Sequence, residues 1–458
     1  MSLPSKELLE RIVRSHEEWL SRRHPYETDS STIVDTGLLQ SVFDVFTDRL
    51  DGTYPFFHPS YAGQMLKPPH PVAVAGYLAA MLMNPNNHAL DGGPVTGEFE
   101  KEVTADIAAM FGYETFLGHL TSSGTIANLE ALWVSCELHP GKAIAFSQQS
   151  HYTHGRMCGV LGVEPVEIPA TADGHMRMDA LRSACQTGRI GAVVATLGTT
   201  GLGALDPLPE LLHLRNEFGF RILLDAAYGG FFTLIAQEPN AAMRDDIFRL
   251  TSQCDSIVVD PHKHGLQPYG CGCVLFRDPA VGRFYKHDSP YTYFTSTDLH
   301  LGEISLECSR AGASAAALWL TLQCLPLRGA QGLGKILMKS RQAALRFSNM
   351  ISASDHLALV TAPELDIVAY FPVTRDLASS VISKVSDEIF TSLMNDPEYP
   401  VYISKLRIPS AQLAELFPEL KVDEGWTTVL RSVLMKPEHE AYAPVLFEMI
   451  ETRAKGLI

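Results

Sequence analysis

The sequence predicts an α/β protein: a mainly parallel sheet covered by helices, a helical N-terminal segment and a small α+β C-terminal domain. Three observations predict it. Apolar, β-rich runs end at Leu120, Phe146, Leu197, Leu224, Val259 and Phe276, and helical stretches such as 209–218 and 243–254 separate most of them. Polar residues suited to chemistry gather just beyond those runs, where open parallel sheets bind ligands. After Trp319 the texture changes to a helical linker and a few separate strand-like runs.

Residues 1–20 set apolar side chains at helical spacing among Lys6, Glu7, Glu10, Arg11, Arg14, Glu17 and Glu18. This predicts an amphipathic helix and not an export signal, which would need an apolar core. The runs 72–83 and 311–322 are apolar but shorter than the roughly 20 residues that cross a bilayer, so both are expected as buried helices. Thr121-Ser122-Ser123-Gly124-Thr125 separates an apolar segment from 126–133, a buried helix that starts at the turn. A helical stretch over 329–350 leads to strand-like 367–371, to Leu406, to 429–435 and to a final helix. The expected organisation is an N-terminal helical segment over 1–75, a large ligand-binding domain over 76–340 and a C-terminal domain over 341–458.

Asp260-Pro261-His262-Lys263-His264-Gly265 follows the apolar run 254–259. Desolvation at a strand end disfavours the charged form of Lys263, which frees its amine for imine formation with an aldehyde cofactor such as pyridoxal phosphate. Ser123-Gly124-Thr125 opens a helix whose N–H groups and hydroxyls suit a phosphate dianion, although an ordinary N-cap uses the same residues. Asp225 ends the run 221–224, and the small residues after it leave room for a flat ring. A carboxylate there keeps a pyridine nitrogen protonated, so that the ring accepts electrons. His151, just past the run 143–146, is placed to stack on such a ring and to bind a substrate carboxylate.

In this order and combination the motifs resemble those of the group II pyridoxal-phosphate-dependent amino-acid decarboxylases, over about residues 58–319. The resemblance implies fold type I with a seven-stranded sheet, pyridoxal 5'-phosphate as cofactor and an obligate homodimer, whose leading helix packs on the partner. It also implies Lys263 as the Schiff-base lysine, and His262, Ser123, Gly124 and Thr125 as phosphate contacts. Asp225 would hold the ring nitrogen, with Ala227 against one ring face, Thr200 beside the ring hydroxyl and His151 stacked above. His58 to Gln64 resembles a segment that lines the pocket from the neighbouring subunit, so His58 and Gln64 are expected near the substrate. Arg310, in Ser309-Arg310-Ala311-Gly312, is expected to bind a substrate carboxylate. Tyr291 or Tyr293 is expected to protonate the carbanion from a mobile loop. The chain departs from the family pattern at His264, where an aromatic residue is common, and at Ile126, Arg156 and Ala311. The implied reaction is decarboxylation of an L-amino acid to its amine. The same residues would serve an oxygen-using aldehyde synthase, a carbon–carbon lyase or a non-catalytic cofactor-binding relative.

Composition narrows the partners. With 36 basic against 52 acidic residues the net charge is -16, which excludes nucleic acid held through its phosphates. The substrate is therefore expected to be a small molecule, with no membrane partner. The eight cysteines lack metal-ligand spacing; Cys271-Gly272-Cys273 is too tight for a zinc knuckle, so no metal site is expected. Buried free thiols point to a reducing, cytoplasmic setting.

Overall fold

The computed structural model describes residues 4–25, 27–89, 91–286 and 305–458. Tyr291 and Tyr293 lie outside the described residues.

The large sheet is made of β1 (Leu117–Thr121), β2 (Ala143–Ser147), β3 (Pro165–Ile168), β4 (Ile190–Thr196), β5 (Arg221–Asp225), β6 (Ser256–Val259) and β7 (Gly272–Phe276). Its seven strands run in the order β1-β7-β6-β5-β4-β2-β3. All neighbours are parallel except at β7, which is antiparallel to both β6 and β1. Central strands are buried on both faces, and alternate residues enter opposite layers. Ile222, Leu224, Ile257 and Val259 join one apolar cluster, whereas Leu223 and Val258 join the other. Edge strand β3, which has no apolar run to announce it, buries only Ile168.

Helices α1 (Lys6–Ser21) and α2 (Thr36–Leu50) contribute no buried residue. Helix α3 (Pro71–Met81) packs on Gly312–Cys324; a Cβ on Gly76 would stand 3.0 Å from the Ala317 Cα, so glycine allows the two helices to approach. Helix α4 (Pro94–Met110) supplies Val103 and Ile107 to one layer, and α5 (Gly124–Leu138) supplies Ala127, Ala131 and Leu132 to the other.

A second sheet, of β8 (Leu357–Leu359), β9 (Ile367–Pro372), β10 (Ser404–Pro409) and β11 (Trp426–Val433), is antiparallel in the order β10-β11-β9-β8. The boundary expected after residue 340 falls inside helix Leu333–Ser352. The first half of that helix packs Leu333 and Leu337 on the large-sheet core, and its second half packs Ala343, Phe347 and Ile351 on the C-terminal core. The helix rivets the two layers together. All eight cysteines are free. Among the described residues no histidine, cysteine and carboxylate cluster could hold a metal, and no helix is long and apolar enough to cross a membrane.

Candidate active site

The ends of five strands, β1, β2, β4, β5 and β6, converge on one cavity of about 180 Å³ at the carboxyl edge of the large sheet. Its lining includes Ser123, Gly124, Thr125, His151, Thr200, Asp225, Ala227, His262 and Lys263.

Lys263 sits in the connection from β6 to β7. Because β7 is antiparallel to β6, the chain returns at once, and the turn is cross-linked: His262 N–H donates to Cys271 O (3.1 Å) and Gln267 N–H to Pro261 O (3.1 Å). Gly265 is required there, since a Cβ would come within 2.6 Å of the Pro261 backbone. The Lys263 Nζ lies 3.0 Å from Asp260 Oδ2. Desolvation would push the amine toward neutrality, as expected from its place in the sequence, but Asp260 and Asp225 outweigh it, and its pKa is raised. In the cofactor-free chain these carboxylates favour the ammonium form, against the effect of desolvation alone. The His262 Nδ1 is 2.7 Å from Cys271 O; a carbonyl only accepts, so Nδ1 carries the proton and Nε2 faces Asp260 at 3.5 Å. Burial lowers the His262 pKa.

Asp225 ends β5, buried, with Oδ1 accepting the Ala227 N–H (3.1 Å) and Oδ2 held by His154 Nε2 at 2.9 Å. Burial alone would raise its pKa; the bond and charge of His154, with Lys263 nearby, bring it instead to about 2. The carboxylate is therefore ionised at neutral pH, as a partner for a protonated ring nitrogen must be. His151 keeps its Nδ1 toward Thr153 (Oγ1 at 2.6 Å, N–H at 3.3 Å), which leaves Nε2 directed elsewhere. Burial lowers its pKa, so the ring is neutral and can stack.

Helix α5 begins at Gly124, with Ser123 Oγ accepting the Ile126 N–H at 3.4 Å. The N–H groups of Gly124 and Thr125 belong to the helix end that has no intrahelical acceptor. Any Cβ on Gly124 would meet the Asp260 carboxylate at 2.6 Å, and Asp260 Oδ1 and Asn128 Oδ1 are buried on the cavity wall without hydrogen-bond partners. An open helix end, a lysine, an ionised carboxylate and a small alanine face fit pyridoxal phosphate.

Other expected site residues lie apart from the cavity. Arg310 is committed elsewhere: its Nη1 pairs with Glu100 and donates to Leu120 O (2.7 Å), and its Nη2 donates to Asn87 O (2.9 Å). A guanidinium neutralised this way is not free to grip a substrate carboxylate. His58 is exposed and bonded to Ser60 Oγ at 2.8 Å, and Gln64 is exposed, one residue before cavity-lining Met65. Sequence reading missed Asp260, whose only signal was its place three residues before the lysine, and His154, three residues past His151. His154→Phe leaves Asp225 Oδ2 buried without its side-chain partner. A loss of about 10–100-fold in turnover is expected, by analogy with outer-shell ligand partners, and steady-state kinetics of the cofactor-loaded variant checks it.

A lysine at the sheet's carboxyl edge, facing an ionised aspartate and an open helix end, defines the class of pyridoxal-phosphate enzymes. Residues 69–372 match the pyridoxal-dependent decarboxylase conserved domain. The chain belongs to that family, with pyridoxal phosphate as its cofactor and carboxy-lyase chemistry as its reaction class. It is 28% identical to the L-tyrosine decarboxylase of Enterococcus faecium over 76% of this chain and 74% of that one. It is 29% identical to a probable L-tyrosine/L-aspartate decarboxylase of Methanothermobacter thermautotrophicus, over 67% of this chain and 82% of the other. The crystal structure of Oryza sativa TDC with PLP and tryptamine superposes with a TM-score of 0.77 at 17% identity, covering 100% of this chain and 99% of that one. Mouse CSAD gives a TM-score of 0.77 at 19% identity, covering 96% and 91%.

Proposed function

We propose that this amino-acid decarboxylase acts on an aromatic L-amino acid of the tyrosine type and releases the amine. The observation that carries the choice is the compensation of Arg310 by Glu100: it removes the arginine that would recognise a second carboxylate. Met65 and Tyr228 on the cavity wall, and Tyr269 tilted against His262 with ring centroids 4.7 Å apart, favour a flat side chain. When bound, pyridoxal phosphate would supply the electron sink that decarboxylation needs. Lys263 would supply the amine that anchors the cofactor, with Asp260 placed to take up its proton, and the ionised Asp225 would favour a protonated ring nitrogen. His151 would cover the ring and orient the substrate carboxylate. Tyr291 or Tyr293 is retained as the proton donor. Mass-spectrometric product analysis against a panel of L-amino acids, in air and without oxygen, tests this. Tyramine from tyrosine is the expected product; β-alanine from aspartate overturns the substrate choice, and an oxygen-dependent aldehyde overturns the amine product.

The working unit is a homodimer in this reading. Helix α2 exposes Leu38, Leu39, Val42, Phe43, Val45 and Phe46, each more than half accessible, a row that water does not favour. In such a dimer the family resemblance would have His58 and Gln64 serve the neighbour's cavity. Phe43→Asp with Phe46→Asp is expected to yield a monomer in sedimentation velocity, with turnover lost. The free thiols support a cytoplasmic setting.

A further inference from the structure

One buried carboxylate outside the cofactor cavity touches two of the loops that build it. Asp366 is fully buried at the start of β9, in the C-terminal sheet. Its Oδ1 accepts the Tyr228 hydroxyl at 2.6 Å, and its Oδ2 lies 3.2 Å from His264 Nε2. The second contact is at ion-pair distance but off the line of a hydrogen bond. Its backbone oxygen accepts the Leu434 N–H at 2.8 Å, which anchors it to the segment following β11.

The partners matter by their places in the chain. Tyr228 stands three residues after Asp225 and itself lines the cavity. His264 directly follows Lys263 and is wedged edge-on between Tyr228 (4.8 Å) and Phe232 (4.9 Å). Asp366 thus holds the Asp225 turn by a hydrogen bond to one oxygen and packs its other oxygen against the lysine turn at His264. Lys67 adds its charge from the N-terminal segment, with its own Nζ bonded to Met435 O at 3.1 Å, and Arg341 and Arg431 also act on Asp366 electrostatically. A bare carboxylate so deep in the protein persists only because positive and donor groups from several segments converge on it. Packing alone needs no such group: an apolar residue would fill the space at no desolvation cost.

We propose that Asp366 is a positioning residue of the cofactor site, fixing the lysine turn through His264 and the Asp225 turn through Tyr228, so that the cavity keeps its shape only while the C-terminal sheet grips both. The inference rests on reading Lys263 and Asp225 as the cofactor residues. It assigns a purpose to His264, the departure from the family pattern directly after the lysine. An aromatic residue there packs but cannot answer a carboxylate.

The test uses full-length protein stripped of cofactor and titrated with pyridoxal phosphate, read by visible absorbance and by circular dichroism in the cofactor band. Asp366→Asn keeps the shape and the acceptor for Tyr228 but removes the charge. The expected result is affinity for the cofactor lowered by about 10–100-fold, with a weakened visible dichroism, in a chain that still unfolds cooperatively. His264→Phe should weaken binding as well, and the double variant should be no worse than the weaker single one, since both cut one link. Wild-type affinity and dichroism in Asp366→Asn, or effects that simply add, overturn the proposal and leave Asp366 a purely structural residue. Should Asp366→Asn fail to fold, Tyr228→Phe, which removes one hydroxyl, decides by the same readouts. Failure of the underlying site reading looks different: wild-type protein would then show no cofactor band, or Lys263→Ala would keep it unchanged.

Discussion

Lys263→Ala is expected to reduce amine formation by at least ~10³-fold and to remove the lysine-linked cofactor band, while the far-ultraviolet dichroism of the protein persists. The side chain lies on a turn, so its loss opens no core cavity. What it does leave is the Asp260 carboxylate, buried, with only the neutral His262 ring at 3.5 Å. That orphaned charge should lower thermal stability. Lys263→Arg separates the two effects: a guanidinium can pair with Asp260 and recover stability, but it forms no imine and recovers no turnover. Product analysis and thermal unfolding of the two variants measure this directly. Turnover within tenfold of wild type in Lys263→Ala would sink the assignment.

Asp225→Asn should cost on the order of 10²–10³-fold in turnover, because an amide neither carries the charge that stabilises a protonated ring nitrogen nor follows its demand as electrons arrive. It should also change how stability depends on pH. The folded carboxyl titrates at about 2, below its ordinary value of 3.8. A depressed carboxylate contributes stability that is fully present above its unfolded pKa and is lost as pH falls through the folded one. The contribution is about 2 kcal/mol at neutral pH and fades between pH ~4 and ~2. Urea unfolding at pH 7 and at pH 3 should therefore show the wild type losing part of its advantage over Asp225→Asn at the lower pH. An advantage that grows on acidification would contradict the His154–Asp225 pair.

Much of this architecture was legible because buried strands must be apolar on both faces and ligands in such sheets gather at the carboxyl ends. The strand ends at Phe146, Leu224 and Val259 and the motifs just past them follow from that rule alone. Strand β3 was not legible: Pro165-Val166-Glu167-Ile168 lies on the edge and buries one residue. The stretch 243–254, read as one helix, is a short helix Asp245–Phe248 followed by the turn Thr251–Gln253. Tertiary bonds cap it, with Thr251 donating to Phe111 O at 3.4 Å and Tyr113 to Cys254 O at 2.9 Å. Distant partners were likewise hidden at the site. Desolvation of Lys263 follows from its place at a strand end, but the carboxylates that overturn its effect are a fact of the folded chain. The same holds for Arg310, whose pairing with Glu100 is invisible until α4 is packed.

The position of β7 has a consequence for synthesis. Strand β1 joins the sheet only through β7, in the register Leu117↔Phe276, so a growing chain carries β1 with its pairing edges open until Phe276 has been made. Ser123 follows the first of these strands and Lys263 precedes the second, so the event that closes the sheet also brings the helix end to the lysine. Nascent chains halted before Gly272 should display an unpaired strand to chaperones and retain no cofactor, which makes cofactor capture a marker of the moment the sheet is complete.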